Sequence, residues 1–152
     1  MNRDDLTHVQ ETPRFLITRL SALGDCLVTL PVACALRDHF PHARIVWLCQ
    51  HENAPLLRAH DDIDEVITVS RRWFRNPKET FNLINRLRRE RFTTVFDPQS
   101  LTKSSVAGLL TGCCKRFGLG APWGRELAPW LNTKNITVDR DSHVVDRFLA
   151  LL

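Results

Sequence analysis

A strand-like run that breaks at a Gly-Asp pair and restarts as a helix opens the chain. Residues 14–20 read Arg-Phe-Leu-Ile-Thr-Arg-Leu, an apolar and β-branched pattern typical of a buried strand. Gly24 and Asp25 follow it, and an apolar helical pattern begins at Cys26. This order is the start of a βα unit, and in open α/β sheets ligands bind beyond the carboxyl ends of the strands. Asp25 is therefore predicted to lie at the functional edge of a sheet.

The βα order repeats along the chain. Further strand-like runs lie at 44–48, 65–69, 93–96 and 115–118, with a shorter one at 134–138. Helices are predicted at about 26–39, 52–59, 79–91, 101–111 and 141–152. Pro31 predicts that the first helix either kinks or begins there. Strands alternating with helices predict an α/β fold with a Rossmann-like parallel sheet that is covered on both faces.

Two of the predicted helices carry apolar stripes. The helix at 79–91 places Phe81, Ile84 and Leu87 on one face, joined by Leu83. The last helix has an apolar face made of Val144, Val145, Phe148 and Leu152. We expect this last face to be uncovered in the chain alone, which predicts marginal stability and self-association through the C-terminal helix.

Length, charge and hydropathy limit the class of protein. The 152 residues are enough for one domain, which we place at residues 13–152. Residues 1–12 are polar and lack the apolar segment of a signal peptide, so they are predicted to be a disordered tail. No apolar run approaches the roughly 18–20 residues that span a bilayer. The composition predicts a cytoplasmic protein.

The net charge is slightly positive. The chain has 21 Lys and Arg against 17 Asp and Glu, a net charge of +4. This excess is too small to indicate a nucleic-acid partner, but it suits an anionic ligand.

The five cysteines predict no disulfide framework and no metal site. They lie in apolar stretches, without C-x-x-C spacing and without a matching histidine pair: Cys26, Cys34, Cys49, Cys113 and Cys114. Buried free thiols in a reducing compartment are the expected state.

Polar and charged residues follow the predicted strands. Because the carboxyl ends of parallel strands meet at one edge, we expect these turns to converge. Carboxylates, amides, arginines and tryptophans at one edge suit a phosphorylated or carboxylated sugar, since arginine binds such anions through two parallel hydrogen bonds. The candidate site residues are Ser21, Asp25, Arg71, Arg72, Trp73, Gln99, Lys103, Arg125 and Glu126.

Each candidate also has a structural explanation. Asp25 fits a helix cap, and Asp97 fits a turn cap at the end of a strand. Arg71 and Arg72 fit a solvated basic loop. Lys103 falls in the first turn of a predicted helix, where a cation opposes the helix dipole, which favours an anionic partner. The sequence contains neither a dinucleotide fingerprint nor a P-loop.

Taken together, these segments resemble the lipopolysaccharide heptosyltransferases, glycosyltransferase family 9. The resemblance covers nearly all of residues 14–152, in order and at compatible spacing. It is carried by the segments at 15–25, 29–31, 35–37, 40–45, 63–67, 71–73, 96–104, 124–126 and 143–147.

The resemblance implies an inverting, metal-independent GT-B enzyme with two Rossmann-like domains. Such an enzyme transfers heptose from ADP-heptose to a lipid A–Kdo type acceptor of the lipopolysaccharide inner core, at the cytoplasmic face of the inner membrane and without a cofactor. This chain corresponds to the N-terminal, acceptor-binding domain, and the nucleotide-sugar domain is expected to be missing. The family's base maps to Asp25. Its acceptor-binding positions map to Arg71, Arg72, Trp73, Lys103, Arg125 and Glu126, to which Ser21 and Gln99 are added by their place in the turns.

The sequence departs from the family at one turn. Ser100 stands where the family usually has glycine, and Pro98 lies just before it, so an altered turn is expected. One alternative is a truncated, catalytically silent α/β module that retains only acidic-sugar binding. A flavodoxin-like binding or regulatory domain is another, but it leaves the Arg-Arg-Trp and Arg-Glu segments unexplained.

Overall fold

The computed structural model describes residues 12–152, and they form one parallel six-stranded sheet. Except for Thr12, the predicted N-terminal tail lies outside the described residues. The spatial order of the strands is β3-β2-β1-β4-β5-β6, and every neighbouring pair is parallel. The strands are β1 (Arg14–Thr18), β2 (Arg44–Gln50), β3 (Glu65–Val69), β4 (Thr94–Asp97), β5 (Arg116–Leu119) and β6 (Lys134–Ile136). The predicted Rossmann-like α/β fold is confirmed.

Helices connect the strands and cover both faces of the sheet. They are α1 (Leu23–His39), α2 (Ala54–Arg58), α3 (Pro77–Arg89), α4 (Thr102–Leu110), α5 (Ala128–Leu131) and α6 (Val144–Leu149). Short 3₁₀ turns lie at His51–Asn53 and Trp73–Arg75. Within residues 12–152, no helix is both long and apolar enough to cross a bilayer.

Strand β1 contributes side chains to the hydrophobic cores on both faces of the sheet. Phe15 and Ile17 point to the face covered by α1 and α6, while Leu16 points to the face covered by α3 and α4. All three are at most 5% exposed. Because side chains alternate along a strand and both faces are buried, the strand reads as a continuous apolar run.

Helix α1 begins earlier than the pattern predicts. It starts at Leu23 and continues through Pro31 to His39. Asp25 therefore lies in its first turn, where a carboxylate interacts favourably with the helix dipole.

The apolar stripes of α3 and α6 differ from their predictions. In α3, Leu83 and Leu87 are buried, whereas Phe81 is 63% exposed, so the buried part of the predicted apolar face does not include Phe81. In α6, Phe148 is buried against the core on the α1 side of the sheet. The prediction of an uncovered C-terminal face is therefore wrong for Phe148, although Leu152 remains 52% exposed.

An ion-pair network ties the amino edge of the sheet to the end of α3. The side chain of Glu90 is only 6% exposed and accepts from Arg14 at 2.6 Å and from Arg44 at 2.9 Å. Arg86 completes the network, with its guanidinium 3.0 Å from the Glu90 carboxylate. This network lies at the edge opposite to the expected ligand edge.

Three of the five cysteines are buried: Cys26, Cys49 and Cys113. Burial raises the pKa of Cys26 to about 11 and that of Cys49 to about 12, which keeps both as neutral thiols. Cys34 is half-buried, and Cys114 is exposed.

Candidate functional site

The strand order changes direction between β1 and β4, and the loops that follow these two strands form a crevice. In open parallel sheets such a switch point is where ligands bind. Two adjoining cavities, of about 520 and 440 Å³, lie there. They share lining residues from the loop after β1 and the loop after β4, namely Ser21, Ala22, Gln99 and Leu101.

The larger cavity contains most of the predicted acceptor-binding residues. Arg71 comes from the loop after β3, and Lys103 comes from the first turn of α4. Glu52 and Glu126 add two carboxylates to its lining. Five of the predicted site residues thus line one cavity: Ser21, Arg71, Gln99, Lys103 and Glu126.

The smaller cavity, which we call the aspartate cavity, contains Asp25 and Arg125. Its far side is formed by Trp123 and by Arg147 of α6, whose guanidinium lies 3.7 Å from the centroid of the Trp123 ring. The predicted base and the predicted acceptor-binding cations therefore lie in neighbouring cavities at the same edge of the sheet.

Arg72 and Trp73 line neither cavity. Arg72 is exposed, but the side chain of Trp73 is only 1% exposed and packs in the core on the α3 side of the sheet. The predicted contact between Trp73 and an acceptor does not fit this burial. The indole instead anchors the loop that presents Arg71.

Asp25 presents a partly free carboxylate. Its Oδ2 lies 2.6 Å from Arg19 and accepts a 3.4 Å hydrogen bond from the backbone N–H of Ala22. Within the described part of the chain, Oδ1 makes no hydrogen bond, and the side chain is 53% exposed. One oxygen is therefore held in place, while the other is free to accept a hydrogen bond or a proton.

Arg19 holds this arrangement together and was missed as a site residue. Its side chain is only 9% exposed, yet it pairs with Asp25, donates to the backbone oxygen of Pro98 at 3.1 Å and stacks on the Phe148 ring at 5.3 Å. A buried arginine is costly unless it is paired. The available signal was a charged residue near the end of the otherwise apolar run at 15–20.

Three of the predicted site residues at the two cavities are cations that make no ion pair with another described residue. Among residues 12–152, the side chains of Arg71, Lys103 and Arg125 make no ion pair within 4.0 Å. Lys103 Nζ instead lies 4.8 Å from the centroid of the Phe74 ring, a cation–π contact. Unpaired cations lining a concave surface suit an anionic ligand.

Ser100 shows how the turn after β4 is built. Its φ is 48°, in the left-handed region that glycine enters without steric cost. Its hydroxyl donates to the backbone oxygen of Asp97 at 2.6 Å and accepts from the N–H of Leu119 at 2.7 Å. The serine thus provides two buried hydrogen bonds that a glycine cannot make, one within the turn and one between this turn and β5.

Asp97 acts as a turn cap rather than as a ligand group. It is fully buried and accepts hydrogen bonds from the N–H of Ser100 at 2.9 Å and from the hydroxyl of Ser105. Burial raises the pKa of the Asp97 carboxyl, and these hydrogen bonds oppose that rise only in part.

The Gly-Arg-Glu segment places Glu126 at the start of α4. Gly124 is required there, because a Cβ atom at this position would lie 2.0 Å from the backbone oxygen of Leu119. Glu126 accepts a 3.2 Å hydrogen bond from the N–H of Thr102, and bonding from Thr102 lowers the pKa of the Glu126 carboxyl. Within residues 12–152, no set of three metal-ligating side chains converges on these two cavities.

No protein-family model matches the chain. Curated proteins do match it. Lipopolysaccharide heptosyltransferase 1 of Escherichia coli strain K12 is 29% identical over 144 residues, which cover 88% of this chain and 44% of that protein. Lipopolysaccharide heptosyltransferase 3 of the same strain is 27% identical over 135 residues, or 85% of this chain and 38% of that protein. The chain thus spans less than half the length of these relatives.

Solved structures of heptosyltransferases are also similar to the chain. The Escherichia coli heptosyltransferase WaaC with ADP-2-deoxy-2-fluoro heptose has a TM-score of 0.78 and 25% identity, covering 91% of this chain and 46% of that one. The Escherichia coli ADP-heptose heptosyltransferase II, at 21% identity and a TM-score of 0.72, supports the fold alone. In sequence and in fold, the chain is similar to the N-terminal part of the lipopolysaccharide heptosyltransferases.

Proposed function

We propose that this chain forms the acceptor-binding half of a heptosyltransferase, which transfers heptose from ADP-heptose to the lipopolysaccharide inner core. The names of its relatives give the reaction class. The observation that carries the proposal is the half-exposed carboxylate of Asp25 beside two cavities lined by the unpaired cations Arg71, Lys103 and Arg125.

Asp25 is the base in this proposal. An acceptor hydroxyl oxygen attacks the anomeric carbon of the heptose, the bond to ADP breaks, and the hydroxyl proton passes to the carboxylate. One displacement of this kind inverts the anomeric centre. Oδ1 is the receiving oxygen, because Oδ2 is held by Arg19 and by the N–H of Ala22.

The cations hold the acceptor in the orientation for attack. Arg71 comes from the loop after β3, and Lys103 comes from the start of α4 and reaches the Phe74 ring of that same loop. They suit the carboxylates and phosphates of an acidic inner-core acceptor of the lipid A–Kdo type, and Arg125 extends the same charge to the aspartate cavity. With these groups as electrostatic partners, the transfer proposed here is metal-independent.

The donor is held mainly by the part of such an enzyme that this chain does not span. The relatives are more than twice as long as the matched region, which is 44% of heptosyltransferase 1. In our proposal a second domain binds ADP-heptose and faces the two cavities. A lipid-linked acceptor also implies that the enzyme acts at the cytoplasmic face of the inner membrane. The chain's net charge of +4 favours peripheral contact with anionic lipids there.

Acceptor binding tests this proposal. We expect the chain to bind a soluble, deacylated acidic core sugar, and Arg71→Gln and Lys103→Gln each to weaken binding about tenfold or more, since a charge-assisted hydrogen bond contributes about 1.5–3 kcal/mol. Arg89→Gln is the matched control, because Arg89 is exposed at the opposite edge of the sheet. Isothermal titration provides the affinities. Equal affinities in all three variants would refute the proposed acceptor site.

A further inference from the structure

Three metal-ligating side chains meet at a place far from the two cavities. Cys34 lies on α1, and His60 and Asp62 lie in the turn between α2 and β3. One ligand atom from each residue lies within 4.8 Å of the other two. Cys34 Sγ is 3.8 Å from His60 Nε2, and His60 Nδ1 is 3.8 Å from Asp62 Oδ2.

We propose that Cys34, His60 and Asp62 bind a zinc ion. Sulfur, nitrogen and oxygen ligands together suit a borderline-soft ion that prefers tetrahedral geometry. With zinc–ligand bonds of about 2.0–2.3 Å, ligand atoms around a tetrahedral ion lie about 3.5 Å apart. Cys34 Sγ and His60 Nε2 are already close to this spacing at 3.8 Å. Because the three ligand atoms lie within 4.8 Å of one another, binding the ion requires side-chain movements of at most about 1.3 Å. Water completes the fourth position.

The charges balance at this site. A thiolate and a carboxylate neutralise the two positive charges of the ion, and the imidazole remains neutral. Arg37 does not compete for the Asp62 carboxylate, because its guanidinium pairs with Asp64 at 2.8 Å and donates only to the backbone oxygen of Asp62, at 3.2 Å. The Asp62 carboxylate is therefore free to bind, while its backbone is held in place.

The protons of Cys34 and His60 can also be accounted for when the ion binds. Zinc binding releases the thiol proton of Cys34, and the neutral imidazole of His60 carries its proton on Nδ1 so that Nε2 binds the ion. The hydrogen bond from the N–H of Asp62 to His60 Nδ1, which is long at 3.3 Å, is given up. Thiolate formation is supported by the ion itself, since metals bind the deprotonated sulfur.

The ion would have no part in sugar transfer. Cys34 lies nine residues after Asp25 on the same helix, which is about 14 Å at 1.5 Å per residue. The turn that holds His60 and Asp62 precedes β3, so it lies at the amino edge of the sheet. The ion instead connects α1 to this turn and stabilises the β2–β3 side of the domain.

Cobalt titration tests the site. Reduced chain titrated with Co²⁺ alone should develop a thiolate-to-cobalt charge-transfer band that saturates at one ion per chain, and Zn²⁺ should displace it. Cys34→Ser should abolish the band. His60→Ala and Asp62→Asn should each weaken binding at least tenfold, because even changes to outer-shell partners cost 10–100-fold.

Two matched controls separate this site from incidental binding. Asp61→Asn changes an exposed neighbour of Asp62, and Cys114→Ser removes an exposed thiol elsewhere. Both should titrate like the unmodified chain, and Zn²⁺ should raise the melting temperature of both but not of Cys34→Ser. Circular dichroism without metal checks that each variant is folded. A band that persists in Cys34→Ser, or no band with the unmodified chain, overturns the proposal.

Discussion

Ser100 shows how one side chain can replace a glycine at a turn. A left-handed backbone costs a residue with a Cβ atom about 1–2 kcal/mol. The Ser100 hydroxyl offsets this cost with its two buried hydrogen bonds, to Asp97 and from Leu119. These bonds therefore stabilise the turn after β4 with a serine in the left-handed conformation.

Two substitutions at Ser100 separate strain from hydrogen bonding. Ser100→Ala keeps the left-handed strain and leaves the N–H of Leu119 without its partner, so we expect a loss of about 2–3 kcal/mol in the free energy of unfolding. Ser100→Gly loses the same bonds but relieves the strain, so it should be about 1 kcal/mol more stable than Ser100→Ala. Urea denaturation measures both. A glycine variant no more stable than the alanine variant would contradict this account.

Single residues mark where sequence reasoning succeeds and fails. Asp25 was predictable, because a strand, a Gly-Asp turn and a helix fix its place at the edge of the sheet. Arg19 and Trp73 were not, because their roles depend on burial. The sequence shows an arginine and a tryptophan, but only the packed fold shows that Arg19 holds Asp25 and that Trp73 is inside the core.

The elements were predictable where a periodic pattern is strong. Strands β2 and β3 begin where the apolar runs begin, at Arg44 and Glu65. Side-chain exposure was harder to predict, since Phe81 of α3 is exposed and Phe148 of α6 is buried. Periodicity identifies the apolar face of a helix, but this face is several residues wide. Which of its residues become buried depends on the tertiary packing around the helix.

The Glu90 network predicts a pH dependence for the link between the sheet edge and α3. Burial alone would raise the pKa of the Glu90 carboxyl, but hydrogen bonding and charge from Arg44, with the charges of Arg86 and Arg14, lower it below its ordinary 4.5. A lowered folded-state pKa means stability that is fully present above about pH 4.5 and is lost as the pH falls through the folded value.

Glu90→Gln tests this network. We expect it to lower the free energy of unfolding by about 2–3 kcal/mol at pH 7, below the value for a fully buried pair because the arginines are partly exposed. The difference from the unmodified chain should shrink below pH 4.5. Asp38→Asn is the control, since Asp38 is exposed and makes no ion pair within the described residues. Denaturant curves from pH 3 to 7 measure the effect, and a difference that does not change with pH would rule the network out as its cause.

At the scale of the whole molecule, the proposed function gives the chain one side of a transfer site. Its switch-point cavities hold Asp25 and the unpaired cations, but the relatives it matches are more than twice as long as the matched region. We expect the chain alone to transfer no sugar and to bind ADP-heptose poorly. Isothermal titration with ADP-heptose and a transfer assay check this, and micromolar binding or measurable turnover would show that a second domain is not needed.

The most direct test joins this chain to the C-terminal part of Escherichia coli heptosyltransferase 1 and measures heptose transfer from ADP-heptose to an acidic core acceptor. The joined protein should be active. Asp25→Asn should lower turnover by at least about 100-fold, the lower range for general base catalysis, with acceptor affinity nearly unchanged because the amide keeps the shape of the side chain. Asp38→Asn, on the same helix, should leave turnover unchanged. Turnover in Asp25→Asn equal to that of the unmodified joined protein would reduce Asp25 to a helix cap and contradict the account.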